Sequence, residues 1–333
     1  MRTLFFLFAV ASAFAARAQM FILPTANRAL LNDGALSEKY LVGTTGKPWP
    51  SGGFGCVRSE GLKMHEGLDI RCTQRDKEGE PIDPVFAAAA GTIVYFSTKP
   101  SLSNYGRYIV IRHNIEGLQV CTLYAHLREV QDTLAIGQQV KQGQRIATMG
   151  RSTNTREGIS KDRAHLHFEI NFALSDHYAE WHKKYRVGQR NDHGDWNGQN
   201  LAAVEPTPIL LGAARDPNFS LVKHLQSRRE VFRVIVRDTN FSFLRNNPGL
   251  VKANPAATSA GIAGYEIALD FNGAPIELIP RAATELKSMS RIRVVGINDA
   301  ELSKHRCSKL LTVRKGRREL SNSGEQRVNL LTY

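Results

Sequence analysis

The stretch Ala164-His165-Leu166-His167-Phe168-Glu169-Ile170 decides how the chain folds and where its chemistry lies. In a β-strand, successive side chains point to opposite faces. His165, His167 and Glu169 then share one face, while Leu166, Phe168 and Ile170 turn to a core. Two imidazoles and a carboxylate line one wall.

Two other stretches bring the same residue types. Met64-His65-Glu66-Gly67-Leu68-Asp69-Ile70 holds a histidine and a carboxylate four positions apart, and Tyr124-Ala125-His126-Leu127 places a histidine at the end of a predicted strand. The first pair would suit a helix face, but Gly67 interrupts it and the flanks are strand-like. On a straight strand four residues span about 13 Å, against roughly 4 Å between two ligands of one zinc ion. The chain must bend here, and Gly67 permits it. Histidine and carboxylate together point to zinc, which in hydrolases usually takes three such ligands and leaves a fourth position for water.

The surrounding text reads as an antiparallel β-domain. Strands are expected over Val85 to Ala90, Thr92 to Phe96, Tyr108 to His113 and Leu118 to Leu127, with a hairpin turn at Asn114 to Gly117. Short strands joined by Gly turns follow up to Gly150. The polar, mixed-charge stretch Arg151 to Arg163 has no apolar period and is expected as an exposed loop beside the central block. Further on, Ser175 to Tyr185 reads as a short helix. His177, His182 and His193 repeat no ligand spacing and read as solvated loop histidines.

Pro206, Pro208, Gly212 and Pro217 mark a boundary. Beyond it strands are expected at Val231 to Arg237, Tyr265 to Phe271, Ala274 to Ile279, Arg291 to Ile297, Leu310 to Arg314 and Val328 to Tyr333, with a hairpin turn at Asn272-Gly273. This region, 220–333, reads most simply as a smaller β-sandwich and shows no catalytic cluster. Its basic stretch Lys304 to Arg318 suits either an acidic polymer or a solvated edge that discourages strand pairing. The fold class is mainly β, and 333 residues suffice for two cores.

The apolar run Leu4 to Ala15 follows Arg2 and precedes the small-x-small triplet Ala16-Arg17-Ala18. It reads as a cleaved signal peptide over 1–18, and at about 12 apolar residues it is too short to span a bilayer. No other segment could cross a membrane. The formal charge is +13, and removing Arg2 and Arg17, with no acid before residue 19, leaves 13 − 2 = +11. For an exported chain, periplasmic or extracellular, that charge points to wall polymer or anionic lipid and away from nucleic acid. Export permits disulfides, and the four cysteines allow three pairings. Cys56 and Cys72 bracket His65 and Asp69, and a bridge between them, contributing about 3 kcal/mol, is the expected one. Cys121 reads as a buried thiol, and nothing demands that it pair with Cys307. No residue pattern fixes an oligomeric state.

In the order Met64-His-Glu-Gly-Leu-Asp69, Tyr124-Ala-His-Leu127 and His165-Leu-His-Phe-Glu169, the chain resembles the lysostaphin-type or LytM-like zinc metallopeptidases, which cleave peptide stems or cross-links of bacterial peptidoglycan. Val85 to Val94, Tyr105 to His113 and Gly137 to Ile146 support the likeness, which covers about 52–172. The resemblance implies a lead-in over 19–50, a zinc metallopeptidase domain over 51–205, and one zinc ion held by His65, Asp69 and His167. It also implies that His126 and His165 are catalytic without being ligands, and that a zinc-activated water attacks the peptide carbonyl. Glu169 would either orient a histidine or serve structure alone. Two departures stand out: Arg151 to Arg163 is longer and more charged than the family's turn, and Thr73 to Pro84 is an insertion. The alternatives are a non-catalytic wall-binding or amidase-activating scaffold of the same fold, which typically lacks a ligand that this chain keeps, and a secreted protease for protein substrates.

Overall fold

All nine positions of the strand His165–Ala173 are buried, so the two-residue alternation read from the sequence separates two covered faces. In the computed structural model, which describes residues 19–286 and 291–333, this strand is the spine of a seven-stranded antiparallel sheet. The segment expected as a signal peptide, 1–18, lies outside the described residues. Leu118–Ala125 runs along one side of the spine, followed outward by Tyr108–Ile115, Gly91–Ser97 and Gln139–Val140. Two short strands share its other edge. Leu68–Arg71 pairs with its first half and Leu201–Val204 with its second.

The two faces have different neighbours. Leu166, Phe168 and Ile170 enter a large apolar core with Ile109, Ile111, Val85 and Ile146, the last two from a three-stranded sheet formed by Pro84–Phe86, Arg145–Met149 and Leu127–Val130. Tyr108, Val110, Leu123 and Ala125 form a second cluster on the other face, where His165, His167 and Glu169 also point. The hairpin joining Tyr108–Ile115 to Leu118–Ala125 turns on Glu116 and Gly117, with φ of 52° and 71°. Positive φ at both central residues matches the right-handed twist of the flanking strands.

The expected boundary prolines begin a helix. Pro206 occupies the first helical position of Pro206–Arg215, where a missing N–H costs nothing, and Pro206, Ile209, Leu210 and Ala213 form its buried stripe. Beyond it lies an additional antiparallel sheet, ordered Pro275–Ala282, Ile262–Leu269, Phe232–Val236, Ile292–Ile297, with a separate hairpin of Leu311–Arg314 and Arg317–Leu320. The strand expected over Val328 to Tyr333 is part of a helix, Asn322–Leu331. Ser321 caps it by accepting from the Gly324 N–H, and Gly324, Val328 and Leu331 are buried at helical spacing. The short run Val328 to Leu331 looked like a strand because its apolar turn begins upstream at a glycine, which carries no hydropathy signal.

The disulfide also differs from expectation. Cys56 is bonded to Cys307, 251 residues away, and Cys72 remains a buried thiol beside Asp83 Oδ2 at 3.1 Å, pushed up to about 12 by burial and by that carboxylate. Cys56 lies on the hairpin strand Gly55–Arg58 and Cys72 just past Leu68–Arg71, so proximity in sequence did not bring them together. Because the bridge closes so long a loop, replacing both partners (Cys56→Ser with Cys307→Ser) should cost about 2–4 kcal/mol, read as a lower urea midpoint at unchanged slope.

Candidate metal centre

Strand register builds the site. Asp69 is paired directly with His167 across the ladder, and on the other side His167 is paired with Ala125, so His126 follows at the end of that strand. His126 has φ 61°, an uncommon conformation that histidine tolerates better than most residues. Its N–H donates to Tyr105 O at 2.9 Å. Its ring centroid stands 4.8 Å from that of His165 and 5.8 Å from that of His167. His65 ends the short strand Lys63–His65, and the chain bends at Gly67 before Leu68–Arg71. Gly67 is needed for space: a Cβ there would lie 2.4 Å from Phe168 O.

Three atoms then converge in a buried spot. His65 Nε2, His167 Nδ1 and Asp69 Oδ1 are each 3.1 Å from the other two. His65 Nδ1 lies 2.7 Å from Gly53 O, which can only accept, so the neutral ring carries its proton there and leaves Nε2 bare. His167 Nε2 lies 2.6 Å from Glu169 Oε1, so by the same reasoning its Nδ1 is bare. Two lone pairs and a carboxylate oxygen thus face one another away from water. That arrangement is repulsive unless a cation or an extra proton sits among them. Four tetrahedral ligands at about 2.0–2.1 Å from zinc stand roughly 3.3 Å apart, so the donor set fits such an ion. Without one, a proton can fill the gap: burial opposes a charged ring, but hydrogen bonds to Asp69 and Glu169 outweigh it and hold His167 up to about 10.

The supports are as specific as the donors. Glu169 is buried, yet hydrogen bonds from His167, Asn171 Nδ2 (2.8 Å) and Tyr105 Oη (2.8 Å) hold its carboxyl below the usual range. Glu169 therefore sits directly behind His167, fixing its ring orientation. Asp69 is held well below the ordinary carboxylate range, burial being outweighed by the three imidazoles around it. His165 Nδ1 is 2.7 Å from Arg163 O and His126 Nδ1 is 2.9 Å from Ser152 O. Both carbonyls accept, so each ring presents a bare Nε2, that of His165 3.5 Å from Asp69 Oδ1. Burial depresses both histidines and keeps them neutral.

These side chains open onto a groove of about 1100 Å³ that also receives Thr153, Asn154 and Glu157 from the charged loop. That loop is tied to the Thr73 to Pro84 insertion: Arg151 Nε and Nη2 each donate to Glu80 at 2.8 Å, and Arg75 Nη1 donates to Lys161 O at 2.6 Å. Of the two departures from the family pattern, the loop thus lines the groove and the insertion braces it from behind. Of the loop histidines, His193 faces the groove, but it bonds Tyr95 Oη at 2.8 Å and joins no metal-ligating group among the described residues.

The sequence pattern of peptidase family M23 matches residues 63–179. A lipoprotein NlpD/LppB homolog of Pseudomonas aeruginosa is 39% identical over 127 residues, 38% of this chain and 35% of that protein. The lipoprotein NlpD of Yersinia enterocolitica is 39% identical over 99 residues, 29% of this chain and 86% of that protein. The chain belongs to peptidase family M23. The murein hydrolase activator NlpD of Escherichia coli is 37% identical over 131 residues, 37% of this chain but only 27% of that protein. Against the Pseudomonas and Escherichia relatives, then, the chain spans about a third or less of their length.

The M23 match begins after Arg58, which sequence reasoning missed. Arg58 Nη2 donates to Asp69 Oδ2 at 2.5 Å and so fixes which oxygen Asp69 turns toward the histidines. Arg58 lies seven positions before His65, a spacing with no meaning until the hairpin register, Gly55 against His65, is known. Tyr105 was read only within a stretch that supports the likeness, with no role of its own, and the Gly53 carbonyl carried no signal. Arg58→Ala should weaken metal binding about 10- to 100-fold, the usual penalty for losing a supporting partner, with the fold retained. Chelator competition monitored alongside circular dichroism checks this.

Proposed function

We propose that this chain is an exported zinc endopeptidase that hydrolyses peptide bonds in the stems or cross-links of bacterial peptidoglycan. One observation carries the reading: three acceptor atoms short of a cation and two further bare imidazoles face the same groove. His65, Asp69 and His167 would hold one zinc ion per chain. Such an ion supplies a Lewis acid for the scissile carbonyl and lowers the pKa of water.

The chain's own groups do the rest. His126 and His165 are neutral and hydrogen-bonded at Nδ1, so each Nε2 is fixed and free to accept. One takes the proton of the attacking water and returns it to the leaving amine, and the other, its Nε2 equally bare, accepts the hydrogen bond of that water and so orients it. Glu169 and Arg58 hold the ligands in orientation. Residues 51–205 form the peptidase unit in this reading and 220–333 an appended domain. The surplus of positive charge favours an anionic wall.

Metal analysis should find one zinc per chain. Digestion of purified sacculi should release new amino ends identified by mass spectrometry, and these should be absent with His167→Ala. A second reading, activation of a separate wall hydrolase, is favoured by the name of the Escherichia relative. Stimulation of an amidase on sacculi that persists in His167→Ala, with no new amino ends from the wild type, would establish that reading instead.

A further inference from the structure

Arg327 reaches the groove from outside the M23 match. It sits on the C-terminal helix Asn322–Leu331 and lines the same cavity as His65, Glu66 and His126. That helix is fastened to the first sheet region: Trp181 Nε1 donates to Asn329 Oδ1 at 2.7 Å, and Val328, Leu330 and Leu331 are buried. The side chain passes over Gly273, where a Cβ would come within 3.0 Å of Arg327 Cγ. Packing therefore sets where this guanidinium stands.

Its hydrogen-bonding needs are not met. Nη1 is buried and has no hydrogen-bond partner. The carboxylates that act on Arg327, Asp270 and Glu66, do so through space and without hydrogen bonding to it. Asp270 Oδ1 accepts from the N–H groups of Asn272 and Ala274, both at 2.9 Å, and Oδ2, which has no hydrogen-bond partner, stands in an ion pair with Arg228 at 3.2 Å. Glu66 follows the ligand residue His65 and lines the same groove. A buried donor left unpaired is costly, and a guanidinium fork is matched best by a planar anion with two oxygens. The helix thus holds the guanidinium at the wall of the groove where a peptide would lie, with Nη1 buried and unpaired just behind that wall.

We propose that Arg327 receives a carboxylate of the bound peptide, so that the groove selects peptides carrying a free carboxyl group. The inference rests on the groove being the peptide-cleaving site proposed above. It assigns the C-terminal region a part in substrate choice: that region supplies the residue that reads the anion, while the M23 region supplies the metal donors.

The test uses the zinc-loaded chain and two probes: the stem tetrapeptide L-Ala-γ-D-Glu-meso-diaminopimelate-D-Ala as free acid, and the same peptide with its carboxyl groups converted to carboxamides. Calorimetry gives the two dissociation constants, and mass spectrometry follows cleavage in parallel. The wild type should bind the free acid about 10- to 100-fold more tightly. Arg327→Gln should bring the ratio close to one, and Arg327→Lys, which keeps the charge but loses the fork, should fall between. Equal binding of both probes by the wild type overturns the proposal, as does a full preference retained in Arg327→Gln. If Arg327→Gln does not fold, Arg327→Lys decides alone, and an unchanged ratio there overturns it. A wild type that shows the preference yet cleaves neither peptide and releases no new amino ends from sacculi upholds the carboxylate reader and removes the peptidase reading.

Discussion

His167→Ala is expected to abolish hydrolysis and to leave the purified chain without stoichiometric zinc. The residue occupies the centre of the site in two senses. Its Nδ1 faces His65 Nε2 and Asp69 Oδ1 at 3.1 Å each, and its Nε2 is the donor that engages buried Glu169. Alanine therefore removes one of three donors, so the loss of metal affinity should exceed by far the roughly 10- to 100-fold produced by deleting a supporting partner. It also strips Glu169 of one of three hydrogen bonds in a dry environment, costing about 1–3 kcal/mol. The melting temperature should fall modestly while activity vanishes. Inductively coupled plasma analysis, turnover of a wall peptide and a thermal melt on one preparation separate these effects. A variant that keeps both its zinc and its turnover would move the metal site elsewhere.

How much of this was legible in the residues depends on whether the information was local. The alternation His165, His167, Glu169 needed only a strand, and it placed three side chains on one face correctly because a sheet enforces a two-residue period. The Asn272-Gly273 turn between Ile262–Leu269 and Pro275–Ala282 was likewise local, with Gly273 at φ 76°. What failed to show required register or tertiary contact. Arg58 reaches Asp69 only because a hairpin folds Gly55 against His65. Cys56 finds Cys307 across 251 residues, a partner that no spacing could single out from the three pairings available. The bend at Gly67 was foreseen, but its reason was not: the glycine makes room for the Phe168 carbonyl of the neighbouring strand. Helix Asn322–Leu331 was missed at a cost, since it carries Arg327 into the groove.

His126→Ala is expected to lower kcat by about 10²–10⁴ with zinc content unchanged, the range typical of losing a positioned acid–base group. His126 is the better choice for isolating proton transfer from metal binding. Its Nδ1 is committed to Ser152 O and its position comes from a left-handed backbone at the strand end, so removing the imidazole disturbs neither the Asp69–His167 pairing nor the support behind the ligands. His165 is less cleanly separable, because its Nε2 lies 3.5 Å from Asp69 Oδ1 and it shares the spine strand with His167. His165→Ala should therefore show a comparable fall in kcat together with a measurable weakening of metal binding. If the two imidazoles act on the same attacking water, their effects will not add: the double variant should lose little more than the worse single one. Additive losses would instead mean that the two histidines act in independent steps, one of them outside the chemistry, in substrate binding.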